Sequence, residues 1–260
     1  MPDRRISRRL FLALAAPVMG AACETVPYTG RSQLQLISAE QEVQMGAQAY
    51  TQTLAKEKLS SDPVATEMVK RVGSRIAAVS GRSEYQWEYR LIQNDKTVNA
   101  FALPGGKVAV YTGMLPVTRD ESGLAAVLGH EIGHVVARHG GERVSQQLLV
   151  NVGVESTMAA LSRGNPATVQ AVGSLLGAGA AVGVLLPWSR QQESEADHLG
   201  LILMAKAGYD PHAARELWVR MSQQKGAGQP EFLSTHPSDP TRIRQIEAWL
   251  PEALQYYKPR

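Results

Sequence analysis

The chain has 260 residues, 44% of them hydrophobic and 20% charged, which is enough for one substantial core. Its formal charge of +3 belongs to a leader, because beyond residue 22 there are 23 basic and 23 acidic residues. That balance argues against a nucleic-acid partner, and the single cysteine, Cys23, excludes an internal disulfide.

Residues 1–22 read as an export signal: a basic start, an apolar run from Leu10 to Val18, then the small residues Gly20, Ala21 and Ala22. Ser7-Arg8-Arg9-Leu10-Phe11-Leu12 resembles a twin-arginine signal. Cys23, directly after the small residues, sits where a bacterial lipoprotein is cut and lipidated. The expected place is therefore the periplasm, with the chain anchored to a membrane through an N-terminal lipid or leader. Residues 23–37 show no helical period and read as a tether, and residues 38–260 as a single domain.

Ser38-Ala39-Glu40-Gln41 is a capping box that starts a helix reaching about Lys58. Asp62-Pro63 starts a second, running to about Val79. Gln86 to Gln93, Val98 to Leu103 and Lys107 to Thr112 read as strands, the last two joined by Pro104-Gly105-Gly106, so a small antiparallel sheet is predicted. A helix then runs from about Asp120 to Gly140-Gly141. Everything beyond is predominantly helical, with segments at Glu142 to Leu161, Ala167 to Leu186, Arg190 to Ala207, Pro211 to Gln224 and Arg242 to Leu250. The fold class that follows is α+β, mostly α. Val169 to Leu186 carries no charge and is long enough to cross a bilayer, but it reads first as a buried or hairpin-forming element, because a single span would separate the two halves of the site described next.

Within the third predicted helix stands His130-Glu131-Ile132-Gly133-His134. Histidines four apart share a helical face and can grip one metal ion, while Glu131 points about 100° away, where a carboxylate reaches a metal-bound water. A catalytic zinc needs a third protein ligand and an open position. Glu193 and Asp197 share one face of a later helix, so Glu193 can ligate while Asp197 accepts the outward N–H of a ligand histidine; Glu195 points elsewhere. A solvated acidic helix would carry the same spacing. His139, His198 and His212 fall off these faces and read as structural or surface residues.

These motifs, taken with Thr29-Gly30-Arg31, Asn99-Ala100-Phe101-Ala102-Leu103-Pro104-Gly105-Gly106, and Ser234-Thr235-His236-Pro237 followed by Arg242-Ile243, resemble the gluzincin metallopeptidases grouped with the HtpX heat-shock protease, the CAAX prenyl protease and the mitochondrial Oma protease. Among these the chain is most similar to the exported bacterial BepA and LoiP type, without a C-terminal repeat domain. The resemblance implies a zincin core with the small sheet packed beside the His-Glu-x-x-His helix. It also implies one zinc ion held by His130, His134 and Glu193, with Glu131 as general base and Asp197 behind the ligands. His236 and Arg242 would lie near the metal as further catalytic residues. His236 would either polarise the substrate carbonyl or occupy the open zinc position at rest. An extended substrate would pair with the edge strand at Asn99 and Ala100. The function implied is endoproteolysis of misfolded or unassembled envelope proteins. A chaperone-like module with a structural or self-blocked zinc is the alternative, and prenyl-protein processing is disfavoured because the several membrane spans of such enzymes are lacking.

Overall fold

The computed structural model describes residues 23–161, 186–223, 232–233, 236 and 240–259. The leader 1–22 and all but the last residue of the uncharged segment Val169 to Leu186 lie outside the described residues. Among the described residues no helix is long and apolar enough to cross a membrane.

The fold is mostly helical with two small sheets. Strands β1 (Cys23–Thr25) and β2 (Ser32–Leu34) pair antiparallel. Residues 23–37, expected as a tether, thus begin as a hairpin, and its side chains are bonded into the body of the protein, as set out below. Helix α1 (Ala39–Leu54) carries the predicted capping box: Ser38 Oγ accepts from the Gln41 amide and Gln41 Oε1 accepts from the Ser38 amide. Helix α2 (Pro63–Ala78) starts where Asp62 Oδ1 accepts two first-turn N–H groups and buries Val69, Val72 and Ile76 at helical spacing.

The second sheet, of β3 (Glu88–Ile92), β4 (Ala100–Leu103) and β5 (Lys107–Tyr111), is mixed rather than antiparallel, with order β3-β5-β4. The hairpin at Pro104-Gly105-Gly106, whose glycines both take φ of +84°, pairs β4 with β5 antiparallel. The connection after β3 then carries the chain past the end of β5, so β3 meets β5 parallel. This leaves β4 as an edge strand. The Tyr111 amide donates to the Asn99 carbonyl, so by antiparallel alternation the main chains of Ala100 and Ala102, not of Asn99, face outward.

A short 3-10 turn (Thr112–Met114) and helix α3 (Leu115–Thr118) lead to helix α4 (Glu121–Val136), capped by Asp120. α4 is buried almost all round, with β4 and α2 packed against it on one side and α6 (Leu186–Lys206) and α7 (His212–Gln223) on the other. Burial of Leu124, Leu128 and Ile132, none of them measurably exposed, stabilises this centre by roughly 1.5–3 kcal/mol per side chain. α4 ends at Val136, earlier than Gly140-Gly141 suggests, because Arg138 adopts φ of +55° and turns the chain into α5 (His139–Leu161). Gly141 instead permits close approach: a Cβ there would collide with the Glu42 carboxylate. The last helix, α8 (Pro240–Tyr256), is longer than predicted and runs through Pro251 to pack on α6.

Candidate metal centre

Where α4 crosses α6, the side chains are absent and the backbones touch. A Cβ on Gly200 would lie 2.6 Å from the His130 nitrogen, and one on Gly133 would lie 2.8 Å from the Ala196 carbonyl oxygen. The contact brings the histidine face of α4 onto the acidic face of α6. His130 and His134 Nε2 are 3.1 Å apart, and Glu193 Oε2 and Oε1 lie 3.4 Å and 3.2 Å from them. His236 Nδ1 enters the same cluster, 3.1 Å from His130 Nε2 and 2.9 Å from Glu193 Oε2.

One ligand atom from each of His130, His134, Glu193 and His236 lies within 4.8 Å of every other. Bonds of about 2.0–2.1 Å to a tetrahedral zinc place neighbouring donors ~3.3 Å apart, and the spacings here bracket that value. The donor set therefore fits such an ion.

Electrostatics agree with that fit. Burial penalises the Glu193 carboxylate, yet His134 and the hydrogen bonds of His130 and His236 overcome it and hold Glu193 ionised, well below the carboxylate range. Burial keeps His134 neutral, so a ring nitrogen retains its lone pair. Burial and the Arg242 guanidinium push His130 down, but Asp197 and Glu193 outweigh both and lift it to about 9. Asp197 Oδ1 lies 2.9 Å from His130 Nδ1, the contact expected of a carboxylate that fixes a ligand tautomer.

Glu131 is 4% exposed, and burial raises its affinity for a proton. It accepts the Ala102 amide of β4, whereas its Oε1 has no hydrogen bond among the described residues and faces His236 Nε2 at 3.4 Å. A buried carboxylate oxygen without a donor is costly, and a water held at the metal would satisfy it.

Arg242 is brought in from α8, but its guanidinium is occupied. It makes two bonds to Asp197, at 2.5 Å and 2.7 Å, approaches Glu193 at 3.3 Å and lies over the Trp218 ring at 3.4 Å. Its position suits it to holding carboxylates rather than a substrate. Asn99 Oδ1 accepts from the Ala100 amide at 2.9 Å and Glu131 takes the Ala102 amide, so among the described residues the outward groups of β4 left for pairing are the carbonyls of Ala100 and Ala102. Among the remaining histidines, His198 bonds Glu252 and stacks on Trp249, and His212 is exposed beside Asp210.

His139 is different. Its Nδ1 lies 2.9 Å from His134 Nδ1, and its Nε2 lies 3.2 Å from Glu195 Oε2. Glu195 also receives Thr29 Oγ1 and Arg31 Nε from the β1–β2 hairpin. Neither His139 nor Glu195 was recoverable from helical spacing.

The comparisons with known proteins meet this geometry from outside. A family model described as Peptidase family M48 matches residues 63–250, a span that holds the whole donor set, Glu131, Asp197 and Arg242. The chain is 44% identical over 235 residues to the mitochondrial metalloendopeptidase OMA1 of Schizosaccharomyces pombe, covering 88% of this chain and 67% of that protein. It is 35% identical over 181 residues to the OMA1 of Saccharomyces cerevisiae, covering 66% and 50%. To the beta-barrel assembly-enhancing protease of Escherichia coli K12 it is 30% identical over 235 residues, covering 88% and 47%. The chain thus spans about half to two thirds of the length of these relatives. A match over most of the chain, joined to a donor set able to hold the metal of this zinc-dependent family, establishes that the protein belongs to peptidase family M48 and is a metalloprotease.

Proposed function

We propose that the protein is a zinc endopeptidase acting on extended segments of misfolded or unassembled envelope proteins, tethered on the periplasmic side of a bacterial membrane. The observation that carries the chemistry is the four-donor cluster with, beside it, a Glu131 oxygen that has no hydrogen bond among the described residues. The export signal and Cys23 support the location. The relatives named for proteolysis in mitochondria and for β-barrel assembly support a role in protein quality control.

His130, His134 and Glu193 would hold the zinc, which when bound supplies Lewis acidity and lowers the pKa of water towards ~7. Glu131, fixed through one oxygen by the Ala102 amide, takes the proton of the attacking water on Oε1 and returns it to the leaving amine. The outward carbonyls of Ala100 and Ala102 accept from the main chain of an extended substrate, a mode that reads backbone and gives broad specificity. Arg242 positions Asp197, and Asp197 positions His130.

His236 gives this resting state a specific character. Its Nδ1 sits among the residues that would hold the metal, where it would fill the position a substrate needs, so His236 would act as an internal blocker that moves for turnover. The chaperone-like alternative would have it stay. Glu131→Gln should retain one zinc per chain and lose casein cleavage by at least ~100-fold, while His236→Ala should raise cleavage at early time points. Undiminished cleavage by Glu131→Gln would remove the assigned base. A zinc-loaded, inert His236→Ala together with an inert wild type would favour the module.

A further inference from the structure

We propose that Glu195, acting through His139, is the positioning carboxylate of His134, and that Arg31 and Thr29 of the β1–β2 hairpin hold Glu195 for that task. The inference rests on the reading of His134 as a zinc ligand.

The argument is one of proton accounting. Glu195 is 6% exposed, and both of its oxygens are occupied. Oε1 accepts from Thr29 Oγ1 at 2.8 Å, and Oε2 accepts from Arg31 Nε at 2.7 Å and His139 Nε2 at 3.2 Å. Arg31 is itself fixed, because its two remaining nitrogens donate to Glu142 at 2.6 Å and 2.8 Å, and the buried Glu142 also receives Gln192 Nε2. An ionised Glu195 can only accept, so the proton of neutral His139 must sit on Nε2. His139 Nδ1 is then an acceptor, and the His134 Nδ1 it meets at 2.9 Å must be the donor. The remaining nitrogen of His134, Nε2, keeps its lone pair and points at Glu193 Oε1 and His130 Nε2.

The two ligand histidines are thereby treated alike. His130 donates Nδ1–H directly to Asp197, while His134 donates through one intervening imidazole to Glu195. Orientation of this kind typically contributes 10–100-fold to metal affinity. What is unusual is the source of the support, since Thr29 and Arg31 lie more than 160 residues from Glu195 and outside the span matched by the family model.

The test is zinc affinity of the full chain by competition with a chromophoric chelator, with the visible spectrum of the cobalt-substituted protein as a report on ligand geometry. Glu195→Gln, nearly isosteric, and His139→Phe should each weaken zinc binding by about 10-fold or more and alter the cobalt spectrum. His139→Gln, whose carbonyl can accept from His134 and whose amide can donate to Glu195, should recover most of the loss. Wild-type affinity and spectrum in folded Glu195→Gln would overturn the inference, as would a His139→Gln no tighter than His139→Phe. Should His139→Phe not fold, Glu195→Gln and His139→Gln decide the matter. His134→Ala separates the two levels: full zinc affinity there would defeat the metal-centre reading itself, whereas its loss beside an unaffected Glu195→Gln would defeat only the relay.

Discussion

Gly200→Ala adds one methyl at the crossing of α4 and α6, where nothing can step aside. The new Cβ would lie 2.6 Å from the His130 nitrogen, 2.7 Å from the Gly129 carbonyl carbon and 2.9 Å from the Gly129 oxygen. All three are backbone, and ordinary van der Waals contact begins at 3.4 Å, so the helices must part by about 0.8 Å. Alanine gains about 0.5–1 kcal/mol over glycine inside a helix, but overpacking costs about 1–3 kcal/mol, so a net loss of roughly 1 kcal/mol is expected. The metal centre should suffer more. His130 and His134 ride on one helix and Glu193 on the other, and a shift of 0.8 Å is a large fraction of a 2.0–2.1 Å bond. Thermal unfolding with and without zinc measures both effects: a modest drop in Tm for the metal-free protein, and a much smaller rise on adding zinc than wild type shows. A variant that matches wild type in both would refute the claim that backbone contact between these helices sets the ligand spacing.

Zinc binding should release about one proton at pH 7. In the metal-free protein His130 is lifted to about 9, and a ligand must be neutral to bind. Calorimetric titration in buffers of different ionisation enthalpy measures this, and an enthalpy independent of buffer would contradict it. Acid should destabilise the metal-free protein. Asp197 is penalised by burial but held low by Arg242 and His130, and Glu195, also penalised by burial, is held low by His139, Thr29 and Arg31. For a carboxylate depressed in the fold, the stabilisation is present above its unfolded value, near 4, and is lost as pH falls through the folded value. Tm should therefore fall steeply below about pH 4, and Asp197→Asn should flatten that limb; an equal slope in the variant would refute the assignment.

Much of the site is legible in the sequence because helical geometry is local. Four-residue spacing puts His130 with His134 and Glu193 with Asp197, and both predicted caps, Ser38 and Asp62, form. The failures come from distant partners. Five residues along a continuous helix, His139 falls off the ligand face. The helix breaks first, and the break swings His139 back onto His134. That break is made by Arg138, whose left-handed backbone conformation goes with ion pairs to Glu24 and Glu42, 114 and 96 residues away. No local signal marks such a turn at an arginine. The parallel pairing of β3 is hidden for a similar reason: a connection after β3 says nothing of which side of the next hairpin it will join. Three-residue strands such as β1 and β2 are too short to show a period at all.

The β1–β2 hairpin has a mechanical consequence. Gln33 donates to the Ala137 carbonyl and Gln35 to the Arg138 carbonyl, at the very end of the helix that carries both histidines. Glu24, one residue after Cys23, grips Arg138. The described chain from Glu24 onward is thus bonded directly to the end of the metal-site helix. An anchor at Cys23 would act as a short rigid mount rather than a leash, fixing the height of the cleft above the surface that holds it. Only segments extended far enough to reach that height would be cut.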